Sequence, residues 1–264
     1  VNFPERERTE DNLKILKDGY EYVLPAEWSL SDAGSYDFNN KIGDRAFSHG
    51  GDVVGDGMVK GHTIKVKFSL KSKDEFSHDE LLNRAYRYFA QTDYKLYCGR
   101  SDRCFNVASI SKITHEYENG FKQRWSNITV SLLLADPFRY DITQTVITTN
   151  FISEQNETKI IIENPSSVDV PLIFTFVPPE GSTTPDIAIL HVTSGQRFIL
   201  KDTLLTAPAI SVVNGETGTV RRDTGNSLNT FNGIFLHAFP GENIYEYTGA
   251  ACKVNIAYTA RWFI

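Results

Sequence analysis

Three observations predict a mainly β fold in two parts. Residues 63–70 alternate strictly: Ile64, Val66, Phe68 and Leu70 point one way, and Lys65, Lys67, Ser69 and Lys71 point the other. That is the period of a half-buried strand. A single stretch, residues 78–91, carries a convincing helical stripe. Beyond Asp136-Pro137, short apolar runs recur between clusters of Gly, Pro, Asn and Asp, with turn signals about every 8–12 residues and no helical period, as in a β-sandwich. Aromatic content of 12%, with 17 Phe and 12 Tyr against one Met, also suits pleated sheets. The expected division is an N-terminal β domain with one α-helix (1–140) and a C-terminal β-sandwich (141–264).

The elements follow in order. Residues 5–11 are a mixed-charge lead-in. Tyr20 to Leu24 is a short strand stopped by Pro25, and residues 28–45, rich in Ser, Asp, Asn and Gly, read as irregular structure with brief strands. Residues 49–57 hold four glycines in nine positions, which predicts a flexible arm or a wide hairpin tip. Ser77 and Glu80 have capping-box spacing, and Leu81, Leu82, Ala85, Tyr88 and Phe89 fall on one helical face. Strands resume over 95–97, 105–115 and 125–134, the last two joined by Glu118-Asn119-Gly120, since Asn-Gly favours tight hairpins. Pro137 then removes a ladder donor and ends the strand. In the second half, strands are expected over 160–162, 170–177, 187–192, 197–200, 209–213, 219–222, 235–239, 243–247 and 252–262. Residues 141–157, rich in Thr, Asn and Gln, read as a connector.

Composition narrows the function classes. Residues 1–140 hold 20 basic and 21 acidic side chains, while 141–264 hold 7 and 12; the halves therefore carry −1 and −5, which suits two domains with different surfaces. The overall charge of −6 argues against nucleic-acid binding, which needs clustered cations. No apolar run reaches the ~20 residues needed to span a bilayer, and residues 1–12 are charged rather than signal-like, so neither membrane insertion nor secretion is expected. Cys98 and Cys104 flank a turn-like segment and face each other across a possible hairpin; three cysteines in a chain without an export signal are expected as thiols.

Catalytic signatures are not found, so no enzyme, cofactor or metal is expected. The six histidines are scattered without an i, i+4 helical pair, and the sequence has no H-E-x-x-H, G-x-S-x-G or Walker-type loop. Asp52 and Asp56 offer oxygens to Ca²⁺ but lack the EF-hand spacing. Glu116 and Glu118 are neighbours at a turn rather than carboxylates facing across a cleft. Trp125 and Trp262 lie on predicted strands with apolar neighbours and are assigned to the core, and His191 and His237 to satisfied strand positions.

Three stretches together resemble the distal tail proteins of long-tailed phages and prophages. The first is Phe47-Ser48-His49-Gly50-Gly51-Asp52 with Gly55-Asp56-Gly57-Met58-Val59-Lys60-Gly61-His62-Thr63-Ile64. The second is Ala135-Asp136-Pro137-Phe138-Arg139-Tyr140; members commonly close their first domain with such a step. The third is Gly225-Asn226 through Gly233-Ile234-Phe235-Leu236 and Phe239-Pro240-Gly241-Glu242-Asn243. No long insertion of the kind that carries an extra sugar-binding module is present.

The resemblance implies a sandwich- or barrel-like first domain with one helix, followed by a galectin-like β-sandwich. It further implies a structural protein of the virion, assembled in the host bacterial cytoplasm as a hexameric ring at the distal end of the tail. That ring joins the tail tube protein to the tail-tip protein and, in many phages, to receptor-binding proteins, and DNA passes through without being read. For this chain, a ring contact needs complementary patches on opposite sides of a subunit. The candidates are the arm Gly50, Gly51, Asp52, Val53, Val54, Gly55, Asp56 and Gly57, together with the basic face of Lys65, Lys67 and Lys71. Asp136, Pro137, Phe138 and Tyr140 mark the expected domain junction. The alternative is a lectin-like module that recognises a host cell-surface glycan through exposed aromatics; a glycan hydrolase is a more distant third.

Overall fold

The alternating stretch is the spine of the first half. His62–Lys71 pairs antiparallel with Trp125–Leu134 over its full length, from Trp125 opposite Lys71 to Leu134 opposite His62. Ser29–Asp32 and Ser109–Tyr117 flank the pair to complete a four-stranded sheet. Burial follows the pattern, with Ile64, Val66, Phe68 and Leu70 inside. The computed structural model describes residues 12–44, 49, 51–99, 102–153 and 159–263. The chain divides into unit 1, residues 1–140 with 263–264, and unit 2, residues 141–262.

In unit 1 a second sheet runs in the order Tyr20–Val23, Lys14–Lys17, Tyr94–Tyr97, Arg103–Val107, Arg139–Asp141. Ile15, Leu96 and Phe105 from it share one core with Ile64, Val66, Ile128 and Val130 of the first sheet, and with Leu81, Leu82, Ala85 and Phe89 of the helix. The single strand expected over 105–115 is two, Arg103–Val107 and Ser109–Tyr117, and they belong to different sheets. Ala108 is the corner: its amide donates to Leu133 O at 3.0 Å and its carbonyl accepts from Asp93 N at 3.0 Å. A chain that lines two layers of one core must change sheets somewhere, and side-chain alternation does not mark where.

The helix is Glu75–Phe89 and starts earlier than the Ser77–Glu80 box suggests. Asp74, in extended conformation, is the N-cap; its carboxylate accepts from Ser77 N at 2.8 Å and Ser77 Oγ at 2.9 Å. Both hydrogen bonds, the backbone one first, hold the Asp74 carboxyl below the ordinary aspartate range. Aspartate caps as well as serine, and the hydroxyl of Ser77 serves here as a donor to it.

His78 on the inner face of this helix is fully buried, with Nε2 2.8 Å from Ser126 Oγ. Burial, and then the charge of His115, push its pKa below the usual 6.5. A histidine kept neutral in the fold contributes stability that is present above the unfolded value of 6.5 and is lost as pH falls from there through the depressed folded value. The melting temperature of the wild type is therefore expected to fall between pH 7 and 5, and less steeply in His78→Gln. Equal slopes in the two proteins would remove His78 as a source.

Unit 2 is two facing sheets. One runs Thr145–Ile152, Cys252–Tyr258, Ile173–Val177, Ser211–Asn214, Thr219–Arg222, Gly225–Asn226; the other runs Lys159–Asn164, Gly241–Gly249, Asp186–His191, Arg197–Lys201, Phe231–Gly233. Phe174, Phe176 and Ile256 of the first meet Phe198, Tyr245 and Tyr247 of the second in a single core, which makes the unit a β-sandwich. Thr145–Ile152 lies inside the expected connector. It is an edge strand with a register shift between Thr148 and Phe151, and of its side chains only Ile152 is fully buried, so its polar composition hides it. Cys98, Cys104 and Cys252 are buried thiols. The register partner of Cys104 is Tyr97 rather than Cys98, and burial pushes Cys98 and Cys252 up to about 12, where they are not nucleophiles at neutral pH.

Candidate functional site: an exposed two-stranded arm

The glycine-rich stretch is an ordered strand rather than a flexible loop. Gly51–Val59 pairs antiparallel with Phe38–Asp44, with Asp44 opposite Gly51, Ile42 opposite Val53 and Lys41 opposite Val54; Gly50 lies outside the described residues. Neither strand joins another sheet. A register shift between Phe38 and Asn40 marks a bulge. There Gly55 has no substitute, since a Cβ would lie 2.1 Å from Asn39 O. The bulge is tied by Gly57 N to Asn40 Oδ1 at 3.1 Å, Asn39 Nδ2 to Asp56 Oδ2 at 3.2 Å, and Met58 N to Asp56 Oδ1 at 2.9 Å. The Met58 amide, and then the Asn39 side chain, hold the Asp56 carboxyl below its ordinary range. Asp56 is thus a backbone clasp, and among the described residues Asp52 and Asp56 belong to no group able to hold a metal ion.

The side chains of the arm contradict its isolation. Ile42 and Val53, cross-strand partners, are 77% and 73% exposed; Val54 is 62% and Met58 67% exposed, and Phe38 is half exposed. Because successive residues alternate sides, Val53 and Val54 place apolar groups on both faces. A two-stranded ribbon is at best marginal alone in water, and contiguous exposed apolar surface marks an interaction site.

The other predicted site residues are placed as follows. Asp136 Oδ1 accepts from Phe138 N at 3.2 Å, and its second oxygen accepts from the Tyr140 hydroxyl. Pro137 is buried, its carbonyl taking Tyr36 Oη at 3.4 Å, and Phe138 packs with Tyr36 and Phe263 in an aromatic cluster with ring centroids 4.8 to 6.5 Å apart. The 136–140 turn is a packed element, and its aromatic cluster reaches the base of the arm through Phe263, whose ring lies 6.4 Å from that of Phe38. The basic face is partly neutralised: Lys65 Nζ is 2.8 Å from Asp32 Oδ2, and Lys71 Nζ lies 3.5 Å from the Trp125 ring centroid. Glu118 does not face Glu116 across a cleft but accepts from Asn127 Nδ2 at 2.9 Å.

Two arrangements escaped the sequence. Trp125, assigned to the core, is only partly buried and lines an open cleft; Trp262, also only partly buried, donates to Pro165 O at 3.3 Å. The buried tryptophan is Trp28. In unit 2, His237 Nδ1 is 2.7 Å from Asp169 Oδ2, and this contact first of all holds the Asp169 carboxyl below its ordinary range. Arg261 donates twice to Asp169 O, at 3.0 and 2.8 Å. No local pattern joins residues 68 positions apart.

A helix-backed β unit followed by a β-sandwich is an architecture shared with a solved structure. Along 95% of its length the chain superposes on 99% of Dit (gp 19.1) of phage SPP1, a paradigm of the hub adsorption apparatus in phages that infect Gram-positive bacteria, with a TM-score of 0.69 at 11% sequence identity. The baseplate of phage P2 in its activated conformation with Ca also aligns, over 94% of this chain and 97% of that one, at 11% identity and a TM-score of 0.44, too low to bear on the fold. The sequence matches no protein-family model and no curated relative.

Proposed function

We propose that this chain is a structural, non-enzymatic hub subunit of a phage tail. Six copies close head to tail into a ring that joins the tail tube protein to the tail-tip protein and offers a seat to receptor-binding proteins, with DNA passing through the centre. It would act in the virion after assembly in the host bacterial cytoplasm. The observation that carries this reading is the near full-length likeness of fold to the SPP1 hub protein. The arm supplies a physical reason for assembly: Ile42, Val53, Val54 and Met58 remain exposed in a single chain, and a ring contact needs one protruding patch that a neighbour covers. The arm residues 50–57 are accordingly assigned to the subunit contact.

The test is oligomeric state. Mass photometry and electron microscopy of the wild type should find rings of six times the 29.8 kDa chain. The double variant Ile42→Asp, Val53→Asp should remain monomeric, with an unchanged far-ultraviolet circular dichroism spectrum. Rings that form in the variant as in the wild type remove the arm from the contact. A wild type that stays monomeric up to high concentration, and also in the presence of its tube protein, defeats the hub reading.

A further inference from the structure

We propose that unit 1 carries a binding site for a phosphate monoester borne on a ring-shaped body, in the cleft beside the 118–125 turn. The cleft has a volume of about 440 Å³ and is lined by Lys71, Ser72, Phe121, Lys122, Arg124 and Trp125, with Gly120 at its edge. That volume admits one phosphorylated ring. Three of the lining side chains are cations and none is a carboxylate. None of the three cations forms a carboxylate ion pair within 4 Å among the described residues. Asp74, the acid whose carboxyl responds to the Arg124 charge, is already engaged as the helix cap by Ser77. Among the described residues Arg124 Nη1 donates only to the Lys73 carbonyl, at 3.4 Å. Three cations around one cleft without an acid fit a group that carries close to two negative charges and three acceptor oxygens, and exceed what one carboxylate needs.

The walls are aromatic. Phe121 and Trp125 meet edge to face at 4.7 Å, and Phe121 is half exposed. The Lys71 ammonium sits over the indole, so the Trp125 face holds a cation while the open Phe121 ring is left for the body of a ligand. The framework is built before any ligand arrives. Lys71 and Trp125 are register partners, Ser72 N donates to Arg124 O at 3.0 Å, and Phe121 N and Arg124 N close successive turns at 3.3 Å each. Lys122 adopts φ +51, a left-handed conformation uncommon for a lysine and found where surrounding structure imposes it. Asn or Gly would cost less at that position.

Sugar phosphates and nucleoside monophosphates share this chemistry, and the experiment separates them. Glucose 6-phosphate, adenosine 5′-monophosphate, glucose and inorganic phosphate are titrated into the full chain, followed by the Trp125 indole N–H resonance assigned with Trp125→Phe. At least one phosphate ester should bind saturably, at least tenfold tighter than inorganic phosphate, with glucose silent. Which ester binds more tightly names the source. Lys122→Ala and Arg124→Ala, both at exposed positions, should each weaken it at least tenfold without changing the spectrum of the free protein. Equal affinity for inorganic phosphate would reduce the cleft to a non-specific anion patch and overturn the proposal, as would no saturable shift or variants that bind like the wild type. The outcome is independent of ring formation, so it neither rescues nor sinks the hub reading.

Discussion

Replacing Trp28 with alanine is expected to destabilise unit 1 by about 3–5 kcal/mol, the range for a large aromatic removed from a packed core. Trp28 is 2% exposed. It stacks on Phe68 of the central sheet at 3.8 Å and 11°, and on Phe89 at the end of the helix at 5.9 Å and 22°, with Tyr88 meeting it edge-on at 6.4 Å. One side chain therefore fastens the helix to the sheet, and its loss opens a cavity between two rigid elements that cannot both relax. Against a total stability of about 5–15 kcal/mol for a domain, that is a large fraction. Two cores make one all-or-none transition an unsafe assumption, so denaturation is followed through the Trp125 indole N–H resonance, a unit 1 signal that the variant keeps. The transition reported by that signal should move to lower denaturant. A shift worth less than about 1 kcal/mol would show that the site collapses without a cavity.

The second large effect is expected in unit 2. The Asp202 side chain is 2% exposed; its Oδ1 accepts from Arg222 Nη1 at 2.5 Å and from Leu204 N at 3.1 Å. Arg222 ends a strand of one sheet, and Asp202 follows Arg197–Lys201 of the other, so the pair ties the two layers. Arg222→Met leaves a buried carboxylate without its counter-ion, which typically costs about 3–5 kcal/mol. Asp202→Asn keeps the shape and removes the charge. The double variant Arg222→Met, Asp202→Asn should therefore be more stable than Arg222→Met alone, a coupling a double-mutant cycle measures directly. Additive losses in chemical denaturation would mean that the pair does not act as a unit.

Much of this architecture was legible because burial in a strand or helix follows its period. The alternation over residues 63–70 and the stripe from Leu81 to Phe89 name their own inner faces, and those faces are the ones buried. Period reports a face but not a layer. For that reason the switch of sheets at Ala108 was silent, and so was the edge strand Thr145–Ile152, which buries almost nothing. The tryptophans were misassigned for a related reason. Trp28 sits alone in a polar stretch and is buried by partners 40 and 61 positions away, whereas Trp125 sits in an apolar strand but at its open end. The glycines of residues 50–57 locate the arm in the sequence and suggest freedom. At Gly55 the missing side chain instead permits a tight approach to Asn39, which gives order. The cleft was illegible because Lys71 and Trp125 meet only through strand register.

An arm of two strands has two open edges as well as two apolar faces, and open edges invite strand addition without limit. Lys41 and Asp56 place opposite charges on the exposed strands, and the bulge at Gly55 bends the ribbon out of the flat form that stacking requires. In the proposed ring these features would favour a finite assembly over a fibre, the apolar faces making the contact while the edges resist templating further copies. Flattening the ribbon and removing its charge, by deleting one residue at the bulge and neutralising Lys41, should convert a closed particle into thioflavin-positive aggregate. If the arm makes the proposed contact, the same few residues decide whether self-association terminates.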